Sequence, residues 1–516
     1  MTAVPLRPTS LRRHPLALQL AAVLLAAASL PALAQTSAPS SWVGFRSDPA
    51  RRLFPQLPAA RKTSTGSHAP NRTLAVTNCD DDGPGSLRTT IAAAVDGDTV
   101  DLGALRCGTI TLRTGAIPIN LDNLVISGPR RSVLSIDGGH LDRVFLHYGG
   151  GTLTLQDVTI SGGFNRATGF DVAGGGCIAS AGYLSLYDST LRNCYAGGEG
   201  AYGGALYAYG LTMSNSTLSG NHAYGVHPQA GTAAFGGAAF VYGLLMATST
   251  VSGNRADHRV NGNLPSYDIG GGIVAVRGGS VYNSTVDSNF AHSRGGGIAV
   301  FTDLSVFNST ISGNVAATEI GGGLFLRWPS ALQLGSSTIT DNRSGSDGGG
   351  IWLNAAGSAF GSSIIAGNST DIGNRDNPYG GPIAVSIDGD HNLMGQAAPL
   401  TSLPPDTLHA DPHLRALAYN GGPTRTHALD ATSPAIDAGD NPTSLLFDQR
   451  GANFPRVSGT AADIGAFEVQ ATPPLAVGVA VPTLSGGFCA FLTGLLTATA
   501  WRRKVRLRPG RTRRLD

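Results

Sequence analysis

Seven glycine clusters each open a near-copy of one phrase, clearest as GGGIAVF followed by LSVFNSTISGN at 295–314. Aligned on the asparagine that ends the phrase, the copies place Asn221, Asn254, Asn289, Asn314, Asn342 and Asn368 in one column, with spacings of 33, 35, 25, 28 and 26 residues. A period with a floor near 25 that tolerates insertions describes stacked coils with elastic loops. Within each copy apolar residues alternate, as Leu304 and Val306 do, and the next apolar residue, Ile311, lies an odd five positions beyond Val306. The same offset recurs at Leu155/Ile160, Leu186/Leu191, Met213/Leu218, Met246/Val251, Val281/Val286, Leu334/Ile339 and Phe360/Ile365. Successive side chains of a strand point to opposite faces, so an odd offset keeps both residues inside only if the chain turns between them. Each coil is therefore several short strands joined by corners built from polar pairs such as Asn308-Ser309.

Stacked coils place like side chains in ladders about 4.8 Å apart. The asparagine column reads as such a ladder, each amide satisfying buried corner groups of its neighbours. Glycine clusters before Ile178, Ala205, Ala238, Ile273, Ile298, Leu324 and Ile351 suit corners that need positive φ or close approach between coils. A leucine-rich repeat shares the asparagine ladder, but its leucine scaffold and helical segments are missing here. The pattern resembles right-handed parallel β-helix proteins of the pectate-lyase-like architecture. The pairing of a GG(A/G)(I/L) phrase with an SGNxA phrase is similar to repeats of bacterial polymorphic outer-membrane proteins. The resemblance implies an all-β solenoid over 111–384, and fold rather than function.

Both ends carry targeting signals. Arg7, Arg12 and Arg13 precede an apolar run from Leu16 to Leu30 and Ala32-Leu33-Ala34, which reads as a secretory signal peptide over 1–34. Residues 35–70, rich in Pro, Ser, Ala and Arg, read as a flexible linker. Near the other end, 475–501 carries no charge and eight basic residues follow, which reads as a membrane helix with a cytoplasmic basic end. Val481-Pro482-Thr483-Leu484-Ser485 precedes its most apolar part, and the whole of 471–516 resembles the IPTL-CTERM sorting tails of Gram-negative bacteria. That resemblance implies an exosortase-like sorting transpeptidase as partner and delivery from the inner membrane to the envelope surface or beyond. Without these ends, residues 35–501 hold 25 basic and 33 acidic residues, a balance of about −8 that speaks against a nucleic-acid partner.

Residues 71–110 read as an N-terminal cap in which Ser86 N-caps a helix with Leu87, Ile91 and Val95 on one face. Gly85-Ser86-Leu87-Arg88 and Ile91 resemble the CSLREA-type start of secreted β-helix proteins. In an oxidising compartment Cys79 and Cys107, which flank this cap, read as a disulfide. Cys177 and Cys194 either bridge neighbouring coils or stay as two buried thiols, and Cys489 is left over. From 385 to 470 the phrases DGDHNLMG, DPHLRALAYNGGPTRTHALDATSPAIDAGD, DQRGANFPR and DIGAFE resemble the choice-of-anchor Q domain. This implies a surface module between a β-helix and an anchor, and no activity.

No spacing calls for a cofactor or a metal: paired CxxC motifs are absent and the histidines are scattered. Asp437, Asp440, Asp448, Asp463 and Glu468 invite a catalytic or calcium reading. Turn and cap roles, with Arg450 and Arg456 as ion-pair partners, are weighed ahead of it. The GHG and RIK phrases of polygalacturonases are missing. Two functions stand: a non-catalytic adhesion or glycan-binding scaffold, and a polysaccharide lyase or glycoside hydrolase on the same architecture. A close carboxylate pair in a groove favours the enzyme; a smooth flank lined by Ser, Thr and Tyr favours binding.

Overall fold

The computed structural model describes residues 71–470 apart from 168–171, 226–232, 259–266, 328, 354–356, 375–383, 398 and 400. The signal peptide, the 35–70 linker, and the 471–516 tail with Val481, Pro482, Thr483, Leu484, Ser485 and Cys489 lie outside the described residues.

One coil shows the repeating unit. Ile178–Ser180 and Tyr183–Tyr187 lie in a first sheet, Thr190–Arg192 in a second and Tyr195–Gly198 in a third. In the next two coils the first two strands merge into Leu206–Ser214 and Ala239–Ala247. Each strand pairs in parallel with its counterpart one coil away, Leu186 opposite Leu155 and Met213, Leu191 opposite Ile160 and Leu218. Among the described residues these three sheets hold 21, 11 and 7 strands, and Val172–Gly174, Gly200–Tyr202 and Ala233–Phe235 make a fourth of three, so the chain is a parallel β-helix. Leu304, Val306 and Ile311 all point inward, at 1%, 0% and 0% exposure, because the corner between them restores the parity. Each such aliphatic side chain contributes about 1.5–3 kcal/mol by leaving water.

Three columns build the corners. In the asparagine column the Asn314 backbone N–H and its Nδ2 both donate to Asn342 Oδ1 at 2.9 Å, while Nδ2 also reaches the Val286 carbonyl at 2.9 Å. The same pattern links Asn221, Asn254, Asn289, Asn314, Asn342 and Asn368. Asp371 ends the row, its Oδ1 accepting from the Asn368 N–H and Nδ2. At the opposite end Cys194 occupies the column, its N–H donating to Asn221 Oδ1. Cys194 is bonded to Cys177, with Cα atoms 5.4 Å apart. This disulfide joins two points of one coil and does not bridge neighbouring coils, because both cysteines flank strands of the same turn.

A second column is serine. The backbone N–H groups of Ser189, Ser216, Ser249, Ser284, Ser309 and Ser337 each donate to the hydroxyl of the next serine in the column, ending at Ser363 and Asn392. Just before each serine, and before Val158, whose N–H starts the column on Ser189, the residue at Asp157, Asp188, Asn215, Thr248, Asn283, Asn308, Ser336 or Ser362 has φ between 45° and 55°. Left-handed backbone there turns the chain from the first sheet into the second. The glycine clusters make the remaining corner: Gly295 has φ 63°, and a Cβ on Gly296 would come within 2.4 Å of the Gly322 carbonyl.

At the N-terminal end Leu87–Ala93 is helical, with Ser86 Oγ accepting from the Thr89 N–H at 3.3 Å. Leu87 and Ile91 are buried, but Val95 is 53% exposed, because the helix stops at Ala93 and the chain leaves it extended. Cys79 and Cys107 are bonded, 28 residues apart. Stacking starts earlier than residue 111 and continues past 384. Thr73–Ala75 pairs with Thr99–Asp101 at one end, and Val385–Asp390 and Leu393–Met394 add a last coil at the other. Each added strand satisfies backbone groups that an open edge would expose.

After Ser402 the chain folds back along the second sheet. Thr285 Oγ1 donates to the Arg425 carbonyl at 2.6 Å, and Thr310 Oγ1 to Gln449 Oε1 at 2.6 Å. The Ala466 N–H donates to Thr338 Oγ1 at 3.0 Å, and Asp440 N–H to Ser362 Oγ at 2.7 Å. Arg425 pairs with the buried Asp287. A small core of Ile364, Leu393, Leu429, Ala435 and Ile464 fills the space beneath.

Candidate functional site

Asp437, Asp440, Asp448, Asp463 and Glu468, in the 385–470 segment, serve its turns. Asp448 pairs with Arg450 at 2.6 Å and accepts the Glu468 N–H at 2.9 Å. Asp463 accepts from the backbone of Asp437 at 2.8 Å and of Val469 at 2.6 Å. Glu468 accepts from Ser458 and Asp463, each at 2.8 Å, Asp437 from Thr460 at 2.8 Å, and Asp440 from Asn441 at 2.6 Å. Burial pushes the Glu468 carboxyl up to about 7, against the hydrogen bonds it accepts. Arg456 is fully buried beside these groups, its Nη2 donating to the Asp463 carbonyl. Arg450 lies between the rings of Phe454 and Phe467, 3.9 and 3.8 Å from their centroids. Carboxylates that accept turn N–H groups are occupied as acceptors, so this cluster is built for folding.

A second polar group lies on the third sheet. His222 Nε2 meets Asp257 Oδ1 at 2.6 Å, Arg255 pairs with the same carboxylate, and His258 Nδ1 meets the buried Asp268 at 2.7 Å. Burial opposes the charge of Asp257, but His222 and Arg255 outweigh it and hold its carboxyl below the usual range. Among the described residues no group of three His, Cys, Asp or Glu is arranged to hold a metal ion.

The outer face of the first sheet is different. Register puts Thr154, Ser185, Thr212, Leu245, Ser280, Ser305 and Gln333 in one outward column, one residue per coil. Every one except Leu245 is an uncharged hydrogen-bonding side chain. Among the described residues the half-buried Thr154, Ser185, Thr212, Ser280 and Ser305 take part in no hydrogen bond through their hydroxyls. The second sheet's threonines at 285, 310 and 338 are by contrast covered and engaged.

Aromatic rims border this floor. On one side stand Tyr183, 48% exposed, then Tyr209, 37% exposed, and Tyr242. Tyr183 lies across Gly210, where a Cβ would come within 2.6 Å of the ring. Tyr209 and Tyr242 stack with centroids 5.4 Å apart, and Tyr183 meets Tyr209 edge-on at 5.4 Å. Arg277 donates to the Tyr209 hydroxyl at 2.7 Å and lies over both stacked rings. On the other side are Tyr187, Tyr282 and Phe307, the last two stacked at 5.9 Å. Phe307 lies over Gly335, whose Cβ would come within 2.6 Å of it. Glycine beneath the Tyr183 and Phe307 rings is thus a fitted feature. Next to the second rim, at consecutive corners, sit Asp157 and Asp188. Burial first, and then the neighbouring Asp188 charge, raise the Asp157 carboxyl.

The repeat pattern contains this face, but the outward residues vary where the inward ones do not, so no motif marks it. Comparing only the outward positions of successive copies, Tyr183-x-Ser185-x-Tyr187 against Ser280-x-Tyr282 and Ser305-x-Phe307, is the signal that finds it.

No protein-family model matches the chain, and no curated protein matches it. A solved structure described as the crystal structure of pectate lyase Pel9A matches with 12% identity, covering 78% of this chain and 97% of that chain at a TM-score of 0.36. So distant a likeness bears on neither substrate nor chemistry, and the parallel β-helix rests on the strand register of the chain itself.

Proposed function

We propose that the chain is an exported, envelope-anchored β-helix surface protein that binds a glycan or matrix polymer without cleaving it. The observation that carries this is the outer face of the first sheet: unengaged hydroxyls in register over successive coils, bordered by exposed aromatic rings. Rings supply a rigid apolar contact and hydroxyls supply orientation, the combination that suits a hydroxyl-rich ligand. Glycan-array binding of the protein tests it. Replacing Tyr183 and Tyr209 together with alanine should weaken binding at least tenfold with the melting temperature unchanged; equal binding by the variant would sink the reading.

The finer parts of this proposal come from the resemblances. The 385–470 segment would act as a choice-of-anchor Q-like module. Val481, Pro482, Thr483, Leu484 and Ser485 would be read by an exosortase-like transpeptidase after membrane insertion. Replacing Pro482 and Thr483 with alanine should then leave export intact and block processing, so that the variant accumulates in the inner membrane with its arginine tail. Identical C-termini for variant and wild type in the native host would remove the sorting role.

A second reading, a glycoside hydrolase, is favoured by Asp157 and Asp188 alone. Carboxylates at consecutive corners, one of them raised by burial and by the charge of the other, are the kind of pair that acid–base hydrolysis uses. Release of reducing ends from a bound polysaccharide, abolished by Asp188→Asn, would decide for it.

A further inference from the structure

Resting on the glycan-binding reading, we propose that the ligand is a linear, uncharged polysaccharide that lies along the solenoid axis between the two aromatic rims. The hydroxyl- and amide-bearing stretch of the floor column covers seven paired strands, from Thr152–Gln156 to Leu332–Gly335, and the same register continues onto Val125 at one end and onto Ala359 and the exposed Asp388 at the other. At about 4.8 Å per coil it is about 29 Å long, and it meets a ligand with the same type of group at every step. Only a polymer with its own short repeat uses such a surface; a compact ligand would leave most of it in water. Rim positions four residues apart on a strand, such as Tyr183 and Tyr187, are separated by about 13 Å, which leaves a lane for one chain.

The charges select against polyanions. Among Thr154, Ser185, Thr212, Leu245, Ser280, Ser305 and Gln333 none ionises. Arg277, the cation on the first rim, is held by the Tyr209 hydroxyl and the two ring faces. Asp157 and Asp188 border the second rim, where Arg130 and Arg131 offset part of the Asp157 charge on that one side without forming a row along the coils, and residues 35–501 carry a net negative charge of about 8. An acidic polymer would therefore meet repulsion without a matching row of cations. Serine and threonine hydroxyls both donate and accept, which is what alternating sugar hydroxyls require.

The test is calorimetric titration of the full chain with linear β-glucan oligosaccharides of two to eight sugars, dextran, polygalacturonate and alginate. For at least one neutral series the affinity should rise at least tenfold from the disaccharide to the hexasaccharide and change less than twofold between 50 and 500 mM salt, as order-of-magnitude expectations for uncharged contacts. Ser280→Asp, next to the central floor position Leu245, should weaken every neutral oligomer about tenfold. Gln333→Ala, at its end, should weaken only the longer ones. Strongest binding to polygalacturonate or alginate, or an affinity independent of length, would overturn the proposal and leave glycan binding standing. Binding to none of the probes would overturn both.

Discussion

Asn314 shows how a single side chain is used three times over. Its amide nitrogen serves the Asn342 oxygen and the Val286 carbonyl, and its own oxygen takes both the N–H and the amide of Asn289. Replacing it with alanine leaves buried donors and acceptors unpaired on two coils, so Asn314→Ala should lower stability by about 1–3 kcal/mol in thermal or urea unfolding. A shift within error would remove the ladder from the account of stability. Glu468 supplies a different residue-scale expectation. Its carboxyl titrates near 7 in the fold, beside Arg456 and Asp463, against a usual 4.5. The folded state therefore holds a proton that the unfolded chain has released between these values. Stability from this group is full below about pH 4.5 and is lost as pH rises through 7, on the order of 2–3 kcal/mol. Glu468→Gln should flatten that part of the stability profile measured by denaturant titration.

The coil, as an element, was legible where its chemistry repeats inward. The odd offset between Val306 and Ile311 located a corner, and the asparagine column is where its spacing put it. The serine column was readable only in outline, because the polar pair at each corner names two residues without saying which one carries the left-handed backbone. That residue is Asp, Asn or Ser in seven of the eight corners between 157 and 362, and Thr248 in the other, with φ 49°. A β-branched residue is strained there, since asparagine tolerates this conformation better. Thr248→Asn should raise stability by about 0.5–1 kcal/mol, read as an increase in urea midpoint at unchanged slope. The helix of the cap was legible from Ser86 onward, but its end was not. A 3.6-residue spacing carried Val95 onto the buried face, whereas the chain turns extended after Ala93 to reach Thr99–Asp101.

At the scale of the whole molecule, what the sequence left hidden is where the last segment goes. Its phrases set it apart from the repeats, yet nothing in them says that Thr285, Thr310 and Thr338 are its seat, because threonine facing outward reads the same whether it meets water or protein. Gln449 is the central contact: it accepts from Thr310 and donates to Thr285, Thr424 and the Arg425 carbonyl. Gln449→Ala should release residues 403–470 from the second sheet, seen as faster amide hydrogen exchange confined to that segment while the coils keep their protection. Uniform exchange across the chain would show that module and coils open as one. The lateral seat also sets how the molecule carries mechanical load. Chain beyond residue 470 leaves from a module bonded sideways to the coils at Thr285, Thr310, Thr338 and Ser362. A pull from that side is therefore shared as shear across four turns at once, so no single turn is peeled from the end of the stack.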